Sequence, residues 1–194
     1  MLSGGKRSAL LVTLTAEMQR RGSWCGETHI QKAMFFLQEL LKVYAGFDFL
    51  LYRHGPFSFD LRDELLSMRA DGLLELAIKQ EGYGPAYTPT AFSEEFLGRY
   101  PKTIARYRDQ VDFIARELKD KRVTDLEKLA TTFFIWSREG KRHPQEIVDR
   151  LIELKPHVTQ NDAWKAYDEI SDLMKKVESL IFAGGADGIA EKAS

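Results

Sequence analysis

The sequence predicts a mainly α fold with a small β-hairpin, winged-helix-like in its first half and helical in its second. Three observations carry this. Apolar residues recur at helical spacing along most of the chain. Two strand-like runs between residues 73 and 88 flank a loop with two glycines. No strand signal follows residue 98. Residues 1–98 are therefore expected to form the winged-helix-like segment. Residues 99–183 would be a helical segment packed on it within one domain, and 184–194, small and polar, a disordered tail.

The elements follow in order. Leu10, Leu11, Leu14 and Met18 place a first helix at about 6–21, ended by Gly22. Thr28 and Gln31 have capping-box spacing, so a second helix should start at Thr28 and stop at Gly46. Ile30, Met34, Leu37 and Leu41 share one face of it, widened by Phe35, Phe36 and Leu40. Residues 47–53 read as a short strand. His54-Gly55-Pro56-Phe57-Ser58 reads as a turn, because Pro56 withholds a backbone donor. Ser58 can cap a third helix, with Asp60 in its first turn and Leu61, Leu65 and Met68 inward. Gly72 ends that helix. Residues 73–79 and 85–88 read as the hairpin strands. After Thr90, the residues Phe92, Phe96 and Leu97 anchor another helix. Further helices are expected near 101–119, 125–138, 144–154 and 160–182. Thr124 with Glu127 makes a second capping box, and Pro144 suits a first helical position.

Charge is balanced, with 28 basic and 29 acidic residues. That argues against a molecule that coats nucleic acid or a membrane surface as a whole. Cys25 is the one cysteine, so no internal disulfide and no Cys-rich zinc site can form. Lys6 and Arg7 precede an apolar stretch, but Thr13, Thr15, Glu17 and Gln19 interrupt it, which rules against a signal peptide. No apolar run approaches membrane-spanning length. The expectation is a cytoplasmic protein with no membrane contact and no cofactor.

Two motifs resemble a known family. One is the stretch His29-Ile30-Gln31-Lys32-Ala33-Met34-Phe35-Phe36-Leu37-Gln38. The other is Tyr52-Arg53-His54-Gly55-Pro56-Phe57-Ser58, followed by Leu61 and Asp71-Gly72-Leu73-Leu74. An Ile-Gln-Lys opening to an apolar helix, then an aromatic-x-x-Gly-Pro segment, is similar to the YwgA-like proteins. More distantly it resembles the Panacea domain of SocA-like antitoxins. The likeness covers roughly residues 25–100. It implies a non-enzymatic regulator that docks directly onto a partner protein, in the antitoxin case a toxin. On that reading His54, Phe57, Ser58 and Arg62, with Tyr83 at the wing tip, would form the contact surface.

The residues alone give little support to other chemistry. Cys25 and His29 are four apart and could make a nucleophilic pair, but no orienting third group has a recognisable spacing. Among His29, His54, His143 and His157 no pair has the i, i+4 spacing of a helical zinc site, so no metal is expected. Gly4-Gly5-Lys6 lacks the spacing, the following Ser or Thr and the preceding strand of a phosphate loop. A DNA-reading helix after the Gly-Pro segment would offer Arg62 and Arg69 but also Asp60, Asp63, Glu64 and Asp71, a poor surface for phosphate. The alternative nucleic-acid surface is basic and interleaved with Tyr100 and Tyr107: Arg99, Lys102, Arg106, Lys121 and Arg122.

Overall fold

The computed structural model describes Leu2, residues 4–80 and residues 84–190, with side chains to Ser179. The described residues are mainly helical, with two small antiparallel strand pairs. The chain divides into two compact units, residues 1–130 and 131–194.

Unit 1 opens with α1 (Gly4–Arg20) and α2 (Glu27–Glu39). A first hairpin follows, β1 (Leu50–Tyr52) with β2 (Gly55–Phe57). Next come α3 (Phe59–Ala70) and a second hairpin, β3 (Leu74–Ala77) with β4 (Ala86–Pro89). Then α4 (Ala91–Leu97), α5 (Pro101–Leu118) and α6 (Val123–Ser137) complete it, α6 passing the unit boundary. The division falls after Ala130, not near residue 98, because α5 packs on α1 and α2. Val111, Ile114, Ala115 and Leu118 are buried there. The core of unit 1 centres on α2, where every residue from His29 to Gln38 is buried. Phe35 meets Phe36 and Phe49 with ring centroids 5.7 and 5.3 Å apart.

Unit 2 contains the end of α6, α7 (Pro144–Leu154) and α8 (Gln160–Ala190). Ile135, Ile147, Val148, Leu151, Val158, Ala163 and Ala166 form its core, with Trp136, Trp164 and Tyr167 against it. Pro144 takes the first helical turn, as the sequence predicts. The backbone of α8 is helical past the expected end at 182, as far as Ala190, so the tail expected from 184 begins as helix. Extending a formed helix avoids the nucleation cost. Residues 191–194 lie outside the described residues.

Several local expectations are corrected. Neither capping box forms. Gly26, not Thr28, is the N-cap of α2 and makes no side-chain cap bond, and α6 starts at Val123, so Thr124 lies inside it. Gln31 and Glu127, the far ends of those boxes, turn to distant partners instead. Helix α2 stops at Glu39 rather than Gly46, because Gln38 binds the chain beyond it. Within the turn expected at 54–58, residues 55–57 are strand β2, paired as Leu50↔Phe57, Leu51↔Pro56 and Tyr52↔Gly55. The actual turn is Arg53-His54, followed by Gly55 at φ 83°, the left-handed region glycine tolerates. A proline fits β2 because a two-stranded pair is all edge. Phe92 is 44% exposed and no anchor. The buried residue of α4 is Ser93, whose hydroxyl donates to the Leu73 carbonyl.

Candidate functional site

Three polar side chains of α2 hold down the chain that follows it. Gln38 Oε1 accepts from the Gly46 and Phe47 amides at 3.0 and 2.9 Å, and its Nε2 donates to the Phe47 carbonyl at 2.8 Å. Lys32 Nζ donates to the Pro56 carbonyl at 2.9 Å. Gln31 pairs with Ser58 twice: the Ser58 amide donates to Oε1 and Nε2 donates to the Ser58 carbonyl, both at 2.9 Å. Buried backbone groups left unpaired would each cost about 1–3 kcal/mol, so this clasp fixes the path of residues 46–58. The Gln-Lys and Gly-Pro motifs that carry the family likeness therefore meet in space, and their contacts are architectural.

The clasp presents an aromatic face. Tyr52, Phe57 and Phe59 surround one another with centroids 5.9, 5.6 and 5.2 Å apart, and the Arg62 guanidinium lies 5.1 Å from the Phe59 ring centre. Tyr52 is 47% and Phe59 38% exposed. Along 43–52 burial alternates, leaving Tyr44, Asp48, Leu50 and Tyr52 outward. Asp60 and Asp63 are exposed beside the rings.

Of the expected contact residues, Phe57 and Arg62 belong to this face, and His54 lies in the turn that joins β1 to β2. The His54 ring stands in the turn with Nδ1 3.4 Å from the buried Glu127 carboxylate. Ser58 is corrected: it is wholly buried, its hydroxyl accepting from the Leu61 amide at 3.2 Å as the cap of α3, so it offers no surface. Tyr83 lies outside the described residues. Tyr52 was not among the expected contacts. Phe59 flanks Ser58 opposite Phe57, and rings on both sides of one turn cannot all be buried by the same face.

The basic alternative splits. Arg99 precedes α5, while Lys121 and Arg122 follow it, about 27 Å away along an 18-residue helix. Lys102 and Arg106 are exposed on its first half, Arg106 over Tyr107 and Arg99 paired with Glu95 at 2.7 Å.

A second feature of unit 1 is an open groove of about 1200 Å³. One wall is the segment before α2 and its first turn. The Trp24 indole donates to the Gly84 carbonyl at 3.0 Å, and the Tyr87 amide to the Cys25 carbonyl at 2.8 Å, tying that segment to the second hairpin. Gly26 packs closely there, since a Cβ would lie 3.2 Å from the Trp24 ring. The other wall is the α5–α6 link, residues 119–124. His29 lines the groove at 4% exposure. Its ring bonds to the Lys121 backbone while Nδ1 has no partner, and burial holds its pKa below the ordinary value.

Cys25 is fully buried at φ 57°, its Sγ 3.7 Å from the Thr15 carbonyl. Burial raises its pKa, so the thiol stays protonated and a poor nucleophile at neutral pH. Gly4-Gly5-Lys6 is the first turn of α1, where Gly5 abuts the Tyr100 hydroxyl. Among the described residues no group of three or more His, Cys, Asp or Glu could hold a metal ion, and no helix is long and apolar enough to cross a membrane.

No protein-family model matches the chain, and no curated protein matches it either.

Proposed function

We propose that this chain is a protein-docking regulator that binds a partner through the Tyr52–Phe57–Phe59 face, acting by occupancy rather than by chemistry. The observation that supports the reading is the exposed ring cluster with Arg62 stacked on it. Clustered aromatics and arginine are the residue types that dominate binding energy at protein interfaces. The partner would insert apolar side chains among the rings and bring basic residues to Asp60 and Asp63. The likeness to SocA-like antitoxins makes a toxin-like protein the first partner to test, and a cytoplasmic setting fits that role.

The experiment is calorimetric titration with the product of the adjacent gene. The expected result is saturable binding that the double variant Tyr52→Ser, Phe59→Ser weakens at least ~10-fold while remaining folded, the loss of more than about 1.4 kcal/mol. No binding by the unaltered chain, or equal binding by the variant, would rule the reading out.

A further inference from the structure

The groove carries a second inference, independent of the docking face and of its partner. Its lining holds four cations, Arg69, Lys119, Lys121 and Arg122, against two acids, Glu27 and Asp120. Lys119 pairs with Asp120 at 3.5 Å. Arg69 and Arg122 have no carboxylate within ion-pair distance among the described residues. Two helices begin at this groove, α2 at Glu27 and α6 at Val123, and the first has no side-chain cap. Helix starts direct unpaired N–H groups and partial positive charge at whatever lies before them. All this favours an anion.

A bare anion does not account for the rest. His29 Nδ1 and Glu27 Oε1 are both buried and without a hydrogen-bond partner. The His29 ring bonds to the Lys121 backbone and Nδ1 is the nitrogen left over, so Nδ1 carries the lone pair and accepts. Glu27 Oε1 also accepts. Glu27 and His29 both line the groove, and these two acceptors call for N–H or O–H donors on the ligand, the opposite of what the cations call for. Apolar side chains also face the groove and stay wet: Leu66, Leu76 and Val123 are 49, 36 and 40% exposed. The Trp24 ring stands beside them.

We propose that this groove binds a nucleoside phosphate. Arg69, Arg122 and the start of α6 take the phosphate. His29 Nδ1 and Glu27 Oε1 accept from base or sugar donors, and Trp24 with the exposed aliphatics covers the ring. The occupant is a free nucleotide rather than a strand. Further phosphates of a strand would meet Asp120 in the lining and Asp71 at the end of α3, two positions from Arg69.

The test is calorimetric titration of the full chain with the four ribonucleoside monophosphates, adenosine, inorganic phosphate and a single-stranded oligonucleotide. At least one monophosphate should bind one-to-one, tighter than about 1 mM. Adenosine and inorganic phosphate should each bind at least ~10-fold more weakly than that monophosphate. Arg69→Ala with Arg122→Ala, both exposed positions, should raise Kd at least ~10-fold with an unchanged urea midpoint. His29→Phe should weaken binding without altering its salt dependence, because it removes an acceptor and no charge. The proposal is overturned if no monophosphate gives saturable heat, if the double arginine variant binds as tightly as the parent, or if only the oligonucleotide binds.

Discussion

Helix α2 carries two sets of buried polar atoms that behave in opposite ways. Gln31, Lys32 and Gln38 give their bonds to the backbone of residues 46–58. Glu27 and His29, one turn or less toward its start, keep an acceptor each without a partner. What each set faces separates them. The first set faces a chain whose amides and carbonyls would otherwise be stranded, so it acts on stability. The second lines an open groove, and the proposed ligand would satisfy it. Unsatisfied buried polar atoms are uncommon enough to be informative.

The largest loss is expected at Gln31. Gln31→Leu strands the Ser58 amide and carbonyl, and urea unfolding should report a loss of about 3 kcal/mol. Ser58→Ala, which keeps the clasp but removes the cap of α3, should cost about 1 kcal/mol by the same assay. The smallest effect is expected away from α2. Hydrogen bonds from Arg20 first and then Arg21 hold the Glu17 carboxyl down to about 2. A depressed acid stabilises the fold above its ordinary value of 4.5 and loses that contribution as pH falls toward 2. Because the pair is partly solvated, Glu17→Gln should lower stability at neutral pH by about 0.5–1 kcal/mol, with the difference from the parent vanishing in acid.

Local signals were legible in the sequence where one residue answers to its immediate neighbours. Ser58 caps α3, Pro144 opens α7, the second hairpin lies between 73 and 89, and Leu61, Leu65 and Met68 point inward. They misled where the same spacing serves a distant partner. Thr28 with Gln31 and Thr124 with Glu127 fit the capping pattern, yet Gln31 reaches Ser58, 27 residues on, and Glu127 reaches His54, 73 residues back. Nothing local distinguishes an amide that caps its own helix from one that clasps another segment. Burial of Ser58 was hidden for the same reason, since its double bond to Gln31 is a tertiary contact. The groove was not legible at all. It is assembled from the segment before α2, the second hairpin, α3 and the α5–α6 link, and Arg69 and Arg122 lie 53 positions apart in the chain.

The two halves of α2 are best separated by urea unfolding of Gln31→Leu and His29→Leu, each followed from slightly alkaline to slightly acid pH. At neutral pH the first should lose about 3 kcal/mol and the second less than about 1, since His29 holds one spare nitrogen and one bond to the Lys121 backbone. Burial depresses the His29 pKa, so the parent keeps that contribution above 6.5 and loses it as pH falls toward the depressed value; His29→Leu should remove that slope. Equal losses in the two variants, or an unchanged slope after His29→Leu, would mean that both ends of the helix are stitched alike.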